Sequence, residues 1–262
     1  AALKQVRVAE YNPFEFIKTN VNGTQNVIDA CLDNDVQLAI GIGTDKAVSP
    51  SNTYGASKLL MERLFIGANF YKGNHKTKFV CVRYGNVLGS RGSILPIFVE
   101  NILSKKKAPI TDPTMTRFNI TINEAVNLVL RAVQYGKGGE IFVPKLKAFT
   151  VNAMKDAIID LVDVKAKAVR IPVRAGEKYH ESMISKHELM NTYESNKDYI
   201  VYNYGGEGLD VKRKIPYKKT KLKEEYSSDE AELLTKEEIK EIIIREGLIK
   251  ESLPDKYVVN TI

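Results

Sequence analysis

The first 145 residues alternate short apolar strands with amphipathic helices, and this alternation limits the fold more than any other feature of the chain. Residues 36–42 and 79–82 are short and almost wholly apolar, as in strands that are buried on both faces. Apolar residues at helical spacing surround them, at 20–34, 55–65 and 124–133. Because strand and helix alternate at these lengths, the sequence predicts right-handed βαβ units in an α/β Rossmann-like, doubly wound parallel sheet.

The second half of the chain is less regular. A strand is predicted at 140–143, and beyond it a helix at 151–161 and a short strand at 168–171 stand out. Near the end, Thr235 and Glu238 form a T-x-x-E capping box ahead of an apolar helix. This pattern predicts a smaller α/β unit after the main sheet.

The front of the chain lacks a motif that the fold class leads us to expect. A dinucleotide-binding domain opens with a strand, a G-x-G-x-x-G turn and a helix, and no such turn occurs here. We therefore expect an N-terminally truncated, partial NAD(P)-binding Rossmann domain at 1–145. Within it, 87–117 contributes to the substrate site. Residues 146–262 are predicted to form a substrate-binding region and a C-terminal tail.

Composition excludes several classes of function. Hydrophobic residues make up 44% and charged residues 27% of the 262, as in ordinary soluble domains. No apolar run approaches the roughly 20 residues that span a bilayer, and no signal peptide opens the chain. We therefore predict a cytoplasmic protein without a membrane partner. Much of the net charge of +7 lies in 212–223, next to an acidic stretch, which favours a solvated surface over nucleic-acid binding.

Cysteine and histidine give no indication of a metal or a disulfide. Cys31 and Cys81 lie in separate apolar stretches without a partner spacing, so we predict two buried thiols. The three histidines show no metal-ligand spacing, and His180 is predicted to be a structural partner within its turn. No metal site is expected.

Proton-handling side chains are concentrated between residues 44 and 58. Tyr54 and Lys58 are four residues apart in a predicted helix, so they share one face. An ammonium beside a phenol lowers the tyrosine pKa towards neutrality, which a general base needs. Thr44, Asp45 and Lys46 add a hydroxyl, a carboxylate and an amine at a predicted strand end. We therefore expect an active site here.

Further motifs make this segment specific, although Y-x-x-x-K alone arises often by chance. They are T-D-K (44–46), Y-G-A-S-K (54–58), R-Y-G-N-V (83–87), S-R-G-S (90–93), M-T-R-F (115–118), E-I-F-V-P (140–144), G-E-K (176–178), H-E (180–181) and Y-S-S-D (226–229). In this series the chain resembles the extended short-chain dehydrogenase/reductase superfamily. Within it, the chain resembles the inverting UDP-N-acetylglucosamine 4,6-dehydratases of pseudaminic acid biosynthesis, from residue 1 to about 245.

The resemblance implies roles for the five central residues. A 4,6-dehydratase oxidises the sugar at C4, removes the C5 proton, expels the C6 hydroxyl as water and reduces C6. Tyr54 would be the base at the C4 hydroxyl, assisted by Lys58, and Thr44 would hold that hydroxyl. Asp45 would be the acid at C6 and Lys46 the base at C5. Because a protonated carboxyl beside an ammonium is disfavoured, we expect the two to share one proton.

Simpler roles stay open for several of these residues. Asp45 is alternatively the cap of the following turn, and Lys46 an exposed loop lysine. The resemblance also implies NADP, with NAD as the alternative, held by Tyr54, Lys58, Tyr84 and Asn20. The asparagine would support the lysine, or would be only an N-cap.

Arginines and polar side chains are expected to hold the UDP-sugar. Guanidinium matches phosphate oxygens in a bidentate manner, which favours Arg117 and Arg174 as pyrophosphate partners and Arg91 as a further candidate. Glu177 would accept from ribose hydroxyls, and Asn86 would contact the sugar or phosphate. A surface salt bridge is the alternative for each arginine.

Two positions depart from the family pattern. Gly43 stands where serine usually precedes T-D-K and is expected to loosen the strand end, whereas Ala175 in place of proline should matter little.

Three functions remain in competition. The leading hypothesis is an NADP-dependent UDP-N-acetylglucosamine 4,6-dehydratase that inverts C5. A UDP-sugar 4-epimerase or another nucleotide-sugar modifying relative would use the same Tyr54 and Lys58 without losing water. The third hypothesis is a catalytically incomplete fragment. Helices at 20–34 and 55–70 often pair across dimers in this superfamily, so a homo-oligomer is expected.

Overall fold

The computed structural model of the protein describes residues 2–202 and 215–249, so the basic run at 212–214 lies outside the described residues. The α-helices of the described residues are α1 (Val6–Tyr11), α2 (Pro13–Phe16), α3 (Gly23–Asp33), α4 (Thr53–Tyr71), α5 (Ile94–Lys105), α6 (Ile122–Tyr135), α7 (Val151–Val162) and α8 (Lys236–Arg245). The strands are β1 (Leu38–Ile42), β2 (Lys78–Val82), β3 (Asn86–Val87), β4 (Lys107–Ile110), β5 (Thr116–Ile120), β6 (Glu140–Pro144), β7 (Ala148–Thr150), β8 (Lys167–Arg170), β9 (Ser182–Ile184), β10 (Thr192–Glu194), β11 (Asp198–Tyr202), β12 (Lys218–Lys219) and β13 (Tyr226–Ser227).

The described chain forms two compact units, each assembled from separate stretches. The first unit takes residues 1–85, 124–145 and 182–227, and the second takes 86–123, 146–181 and the chain from 228. The predicted boundary between 145 and 146 is one of the points where the chain passes from one unit to the other.

The first unit is built on a mixed six-stranded sheet with the order β1-β2-β6-β11-β10-β12. β1, β2 and β6 run parallel, with Leu38 opposite Lys78 and Cys81 opposite Ile141. From β11 onward each strand is antiparallel to its neighbour. The parallel α/β core that the sequence predicts is confirmed, and the antiparallel strands extend it.

Helices cover both faces of this sheet because successive strand residues point to opposite sides. On β2, the ring of Phe79 packs edge-on against Phe65 of α4, with 5.7 Å between the ring centroids. Val80 and Val82 face the other way, into a cluster that contains Leu128 of α6. Burial on both faces explains why the strand is apolar from Phe79 to Val82, and the layer on each side makes the sheet doubly wound.

The second unit has a core of its own. A three-stranded sheet with the order β3-β5-β7 and a parallel pair, β4 and β8, supply its strands. Helices α5, α7 and α8 pack around a cluster that includes Leu95, Phe98, Met154 and Ile239. The predicted substrate segment 87–117 lies within this unit.

Several predictions from local sequence patterns can be compared with the structure. The capping box before α8 is confirmed: Thr235 accepts from the Glu238 amide and Glu238 accepts from the Thr235 amide. Cys81 is buried and Cys31 is half-buried, and both are free thiols. Within the described residues, none of the helices combines the length and the apolar character that a bilayer crossing demands.

Candidate active site

The residues after β1 form a compact hydrogen-bonded turn. Oδ1 of Asp45 accepts from the Thr44 hydroxyl at 2.9 Å, from the Lys46 amide at 2.9 Å and from Lys46 Nζ at 3.0 Å. Asp45 is fully buried, and its Oδ2 has no hydrogen-bond partner among the described residues. One carboxylate oxygen therefore organises the turn, while the other remains uncommitted.

Gly43 fixes the start of this turn. Its amide donates to the carbonyl of Val82 at 2.6 Å, which continues the β1–β2 ladder past Ile42. A Cβ at Gly43 would collide with Oε1 of Glu62. The expectation that this glycine loosens the strand end is wrong, because the missing side chain lets a buried carboxylate pack against the backbone.

Tyr54 lies in the first turn of α4 and is buried beside the turn at 44–46. Burial raises the pKa of its phenol, Lys46 and a side-chain hydrogen bond with Thr44 lower it, and Asp45 and Tyr84 raise it again, so the pKa stays above its ordinary value. The predicted lowering is therefore wrong for this state of the protein, since burial of the phenol outweighs the nearby cation. The strongest cationic influence on Tyr54 is Lys46, which the sequence did not reveal.

Lys58 is also buried, one turn further along α4. Its Nζ donates to the carbonyl of Ile42 at 2.6 Å, so the ammonium ties the helix to the end of β1. Burial lowers its pKa below the ordinary lysine value, although the charge of Glu62 and then Cys81 act in the opposite direction.

A backbone contact sets the distance between α4 and the turn. A Cβ at Gly55 would collide with the carbonyl oxygen of Lys46 and would lie 3.0 Å from Cβ of Pro50. The glycine of the Y-G-A-S-K motif therefore lets the helix begin directly against Lys46.

Asn20 supports this arrangement from a six-residue π-helical segment, Ile17–Asn22, and not as an N-cap. Its amide oxygen accepts from the Leu3 amide at 2.8 Å, and its Nδ2 donates to the Leu3 carbonyl at 2.9 Å and to the Ser57 hydroxyl at 3.0 Å. Ser57 donates in turn to the carbonyl of Tyr54 at 2.8 Å. Asn20 is thus linked to the helix turn that carries Tyr54 and Lys58.

The remaining predicted cofactor residue also contacts the turn. The carbonyl of Tyr84 accepts from the Asp45 amide at 3.1 Å. Burial raises the pKa of its phenol. The structure therefore brings all the predicted catalytic and cofactor residues together in the first unit.

The second unit groups three of the predicted substrate residues. Arg117 is buried: its Nη1 donates to the carbonyls of Thr116 and Tyr179 at 2.7 and 3.0 Å, and its Nη2 donates to Glu177 Oε1 at 3.2 Å. Glu177 Oε2 accepts from the main-chain amide of Arg174 at 3.3 Å, while the Arg174 side chain is exposed. Arg117 and Glu177 form an ion pair, and both are predicted to hold the nucleotide.

The other two substrate candidates lie elsewhere in this unit. Asn86 begins β3 and pairs with Asn119 of β5, and Arg91 is exposed in the segment between β3 and α5. His180 Nδ1 lies 2.8 Å from the Thr116 hydroxyl, as a structural partner would.

The supporting roles of three residues were not predicted from the sequence. Ser57 bridges Asn20 and α4, while Glu62 and Arg83 form a buried ion pair beneath the site. The helical spacing of Lys58 and Glu62 was a usable signal, since residues four apart share a face. The partner of Arg83 could not be inferred from spacing.

Comparison with known proteins agrees with this geometry. The family described as "Polysaccharide biosynthesis protein" matches residues 1–203. An inverting UDP-N-acetylglucosamine 4,6-dehydratase of Campylobacter jejuni is 47% identical over 77% of this chain and 59% of its own length. A UDP-glucose 4-epimerase of Rickettsia rickettsii is 39% identical over 97% of this chain and 74% of its own. The chain thus spans less than two thirds of the dehydratase that it matches.

Two further matches cover nearly the whole chain. A Methanocaldococcus jannaschii protein, named as an uncharacterized membrane protein, is 45% identical over 93% of this chain and 72% of its own length. The X-ray structure of Pen from Bacillus thuringiensis superposes with a TM-score of 0.84, at 36% identity over 94% of this chain and 73% of that one. The family match, the sheet and the Tyr54–Lys58 helix agree, and the chain therefore belongs to the polysaccharide biosynthesis protein family of the extended short-chain dehydrogenase/reductase superfamily.

Proposed function

We propose that this chain carries the catalytic part of an inverting nucleotide-sugar 4,6-dehydratase that acts on UDP-N-acetylglucosamine. The product would be a UDP-4-keto-6-deoxy sugar with inverted C5, as in the dehydratase relative. The observation that carries the proposal is the turn in which a buried carboxylate and an ammonium lie 3.0 Å apart beside Tyr54. Removal of water needs an acid and a base besides the group that serves C4, and this turn supplies both.

Asp45 fits the role of the acid at C6. Its Oδ1 is saturated by three donors, whereas Oδ2 accepts nothing among the described residues. A proton on Oδ2 turns an unpartnered buried acceptor into a donor, which removes the cost of leaving it unpaired. In that state, the carboxyl can give its proton to the departing C6 hydroxyl.

Lys46 fits the role of the base at C5. Its side chain is about a quarter exposed, whereas that of Asp45 is fully buried. Lys46 Nζ donates to Oδ1 of Asp45, so transfer of this one proton to the carboxylate leaves a neutral amine that can take the C5 proton and a carboxyl that can protonate the C6 hydroxyl. Dehydration then balances: the C5 proton leaves to the base and the C6 hydroxyl leaves as water.

Tyr54 fits the role of the base at the C4 hydroxyl. The Thr44 hydroxyl is close enough to lower the pKa of the phenol, and it can contact the same sugar hydroxyl and fix its orientation. The buried environment raises the pKa of Tyr54, so the opposing field of Lys46 is needed to make proton removal easier.

The donor set fits a nicotinamide cofactor, which we propose to be NADP. When bound, a nicotinamide would supply reversible two-electron redox chemistry, which is oxidation at C4 and, after water loss, reduction at C6. Tyr54 and Lys58 lie on one buried face of α4, and Lys58 Nζ is held at the strand end by Ile42. An ammonium fixed in this way can donate to the hydroxyls of a bound ribose. The choice of NADP over NAD rests on the dehydratase resemblance.

A UDP-sugar 4-epimerase is the second candidate, and the 39% identity to the Rickettsia enzyme over 97% of the chain favours it. Epimerisation also begins with proton removal by Tyr54, but it needs neither an acid at C6 nor a base at C5. Epimerisation therefore gives no role to the unpartnered Oδ2 of Asp45, whereas dehydration does, and for this reason we prefer the dehydratase.

One incubation separates the two functions. The full-length protein is given NADP and UDP-N-acetylglucosamine in deuterated water, and the product is examined by mass spectrometry and NMR. A dehydratase gives a product that has lost one water and carries solvent deuterium at C5. An isomer of unchanged mass without deuterium at C5 would replace the proposal with an epimerase. No conversion at all would rule out both functions for this substrate.

A further inference from the structure

A buried cluster of three charged side chains lies beneath the candidate active site. Arg83, at the end of β2, is only 1% exposed, and the two carboxylates that it contacts, Glu62 and Glu188, are buried as well. All three belong to the first unit: Arg83 directly follows β2, Glu62 lies on α4 and Glu188 lies on the short 3₁₀ helix Lys186–Asn191.

The guanidinium of Arg83 uses every one of its five N–H donors. Nε and Nη2 donate to the two oxygens of Glu62 at 3.2 and 2.7 Å, in a bidentate pair. Nη1 and Nη2 donate to the two oxygens of Glu188 at 3.1 and 3.0 Å. The fifth donor reaches the carbonyl of Met183 at 2.8 Å. No donor is left over, and the planar fork fixes all three partners in one geometry.

A buried cluster of charged side chains contributes little net folding stability by itself. Desolvation of buried charges consumes most of their attraction, and apolar side chains of the same volume often serve equally well. Burial by itself would lower the pKa of Arg83, and Glu62 followed by Glu188 raise it above its ordinary value. The arginine therefore remains charged, and two carboxylates around one cation leave an excess of negative charge.

Glu62 connects this excess charge to the active site. It lies one helical turn after Lys58 on α4, and of the charged groups that act on Lys58 it is the strongest, ahead of Cys81 on β2. Its Oε1 occupies the space that a side chain at Gly43 would need, directly before the turn at 44–46. A single carboxylate therefore contacts the strand end, pairs with Arg83 and acts electrostatically on the lysine one helical turn away.

We propose that Glu62 is a positioning residue for the proposed reaction, and that Arg83 and Glu188 hold it in place. Its carboxylate holds α4, with Tyr54 and Lys58, against the end of β1 and keeps Lys58 in the ammonium form despite burial. This role rests on the proposed function, but its electrostatic part can be measured without turnover.

Glu62→Gln tests the assignment because the amide keeps the shape of the side chain and removes the charge. Asp198→Asn is the matched control. Asp198 forms a comparable bidentate pair with Arg131 in the same unit, at 2.6 and 2.6 Å, and is not among the groups that act on Lys58. Lys58 is followed by NMR in the full-length protein labelled with ε-¹³C lysine, and its signal is assigned with Lys58→Arg.

The expected result is a lower titration midpoint of Lys58 in Glu62→Gln and an unchanged midpoint in Asp198→Asn. In the same proteins, kcat for the keto sugar should fall about 100-fold in Glu62→Gln with little change in KM, as for a misplaced catalytic group. A folded Glu62→Gln that leaves either the Lys58 midpoint or kcat unchanged overturns the assignment.

Two further results would also discriminate between the roles of the cluster. If Glu62→Gln does not fold, Glu188→Gln, which removes one of the charges that hold Arg83 and Glu62 together, is judged by kcat alone, because Glu188 is not among the groups that act on Lys58. Loss of folding in both variants assigns the cluster to stability alone. If the wild type yields no keto sugar while the Lys58 midpoint shifts as expected, the proposed function fails but the electrostatic role of Glu62 stands.

Discussion

Lys46 reaches back to its neighbour Asp45, with Nζ 3.0 Å from Oδ1, and leaves Oδ2 of the buried carboxylate without a partner among the described residues. One oxygen of the carboxylate is thus engaged in the turn, and the other remains available for the proposed proton transfer. It also yields the first prediction.

Asp45→Asn should reduce formation of the dehydrated sugar by about 100-fold or more, since the amide keeps the shape of the turn but has no proton to donate. Product mass and rate measure the effect, and far-UV circular dichroism establishes that the variant is folded. Asp35→Asn is the control, because Asp35 is an exposed aspartate that contacts His75 in the same unit. Equal rates for Asp45→Asn and the control would remove Asp45 from the reaction.

Lys46→Met should raise the pKa of Tyr54 further above its ordinary value. Burial already raises it, and Lys46 is the strongest influence in the opposite direction. With the cation removed, the phenolate appears only at higher pH. NMR titration of ring-labelled tyrosine, with Tyr54→Phe to identify the signal, measures the change without any need for turnover. Lys145→Met removes an ammonium that pairs with Glu194 in the same unit and should leave Tyr54 unmoved. An unchanged Tyr54 midpoint in Lys46→Met would contradict the proposed electrostatic effect of Lys46 on Tyr54.

Gly55→Ala and Gly67→Ala should change stability in opposite directions, although both glycines lie on α4. A methyl at Gly67 meets no atom within 4 Å, so the better helix propensity of alanine should stabilise the protein by about 0.5–1 kcal/mol. At Gly55 the methyl collides with the Lys46 carbonyl, and overpacking should cost about 1–3 kcal/mol. Urea unfolding of the two variants measures the difference, and the same sign for both would refute the contact.

Thr235→Ala should destabilise the protein by about 1 kcal/mol, because the hydroxyl caps the first turn of α8 by accepting from the Glu238 amide at 3.2 Å. Ser104→Ala is a suitable control, since that exposed hydroxyl only donates to a carbonyl within α5. Thermal unfolding should place the control within about 0.5 kcal/mol of the wild type.

Glu238 should make the same helix start sensitive to acid. Hydrogen bonds from the Thr235 amide and from Lys147 lower its pKa from 4.5 to about 2. A carboxyl with a lowered folded-state pKa stabilises the protein above pH 4.5, and this contribution is lost as the pH falls towards 2. The difference in melting temperature between the wild type and Glu238→Gln should therefore be largest near neutral pH and vanish near pH 2. A difference that does not depend on pH would contradict the assignment.

The parts of the fold that the sequence predicted are those that depend on local order. Apolar runs and helical spacing place β1, β2, β6, α4, α6 and α7 within a few residues of their observed bounds. The antiparallel strands β10 and β11 were missed, because their three and five residues carry no long alternation. β11 also pairs with β6, more than fifty residues earlier, and no local pattern reveals such a pairing.

In the candidate site, too, local sequence order predicted some features, and features that depend on the folded structure were missed. The spacing of Tyr54 and Lys58 and the T-D-K turn indicated which side chains lie together, but not the order of their electrostatic influences. The sequence favoured Lys58 as the cation that acts on Tyr54, whereas Lys46 has the stronger effect and burial decides the direction. Burial is a property of the assembled core, so no local pattern could have supplied it.

The bond between Arg83 and Glu188 has a consequence for how the protein is made, since it joins residues 105 positions apart. At a synthesis rate of about 5–20 residues per second, Arg83 waits about 5–20 s for its second carboxylate. Until residue 188 has been synthesised, Glu62 is the one carboxylate of the cluster that can pair with Arg83. The contacts of Arg83 with Met183 and Glu188 therefore form late, and they complete a cluster whose other two members are already present in the chain.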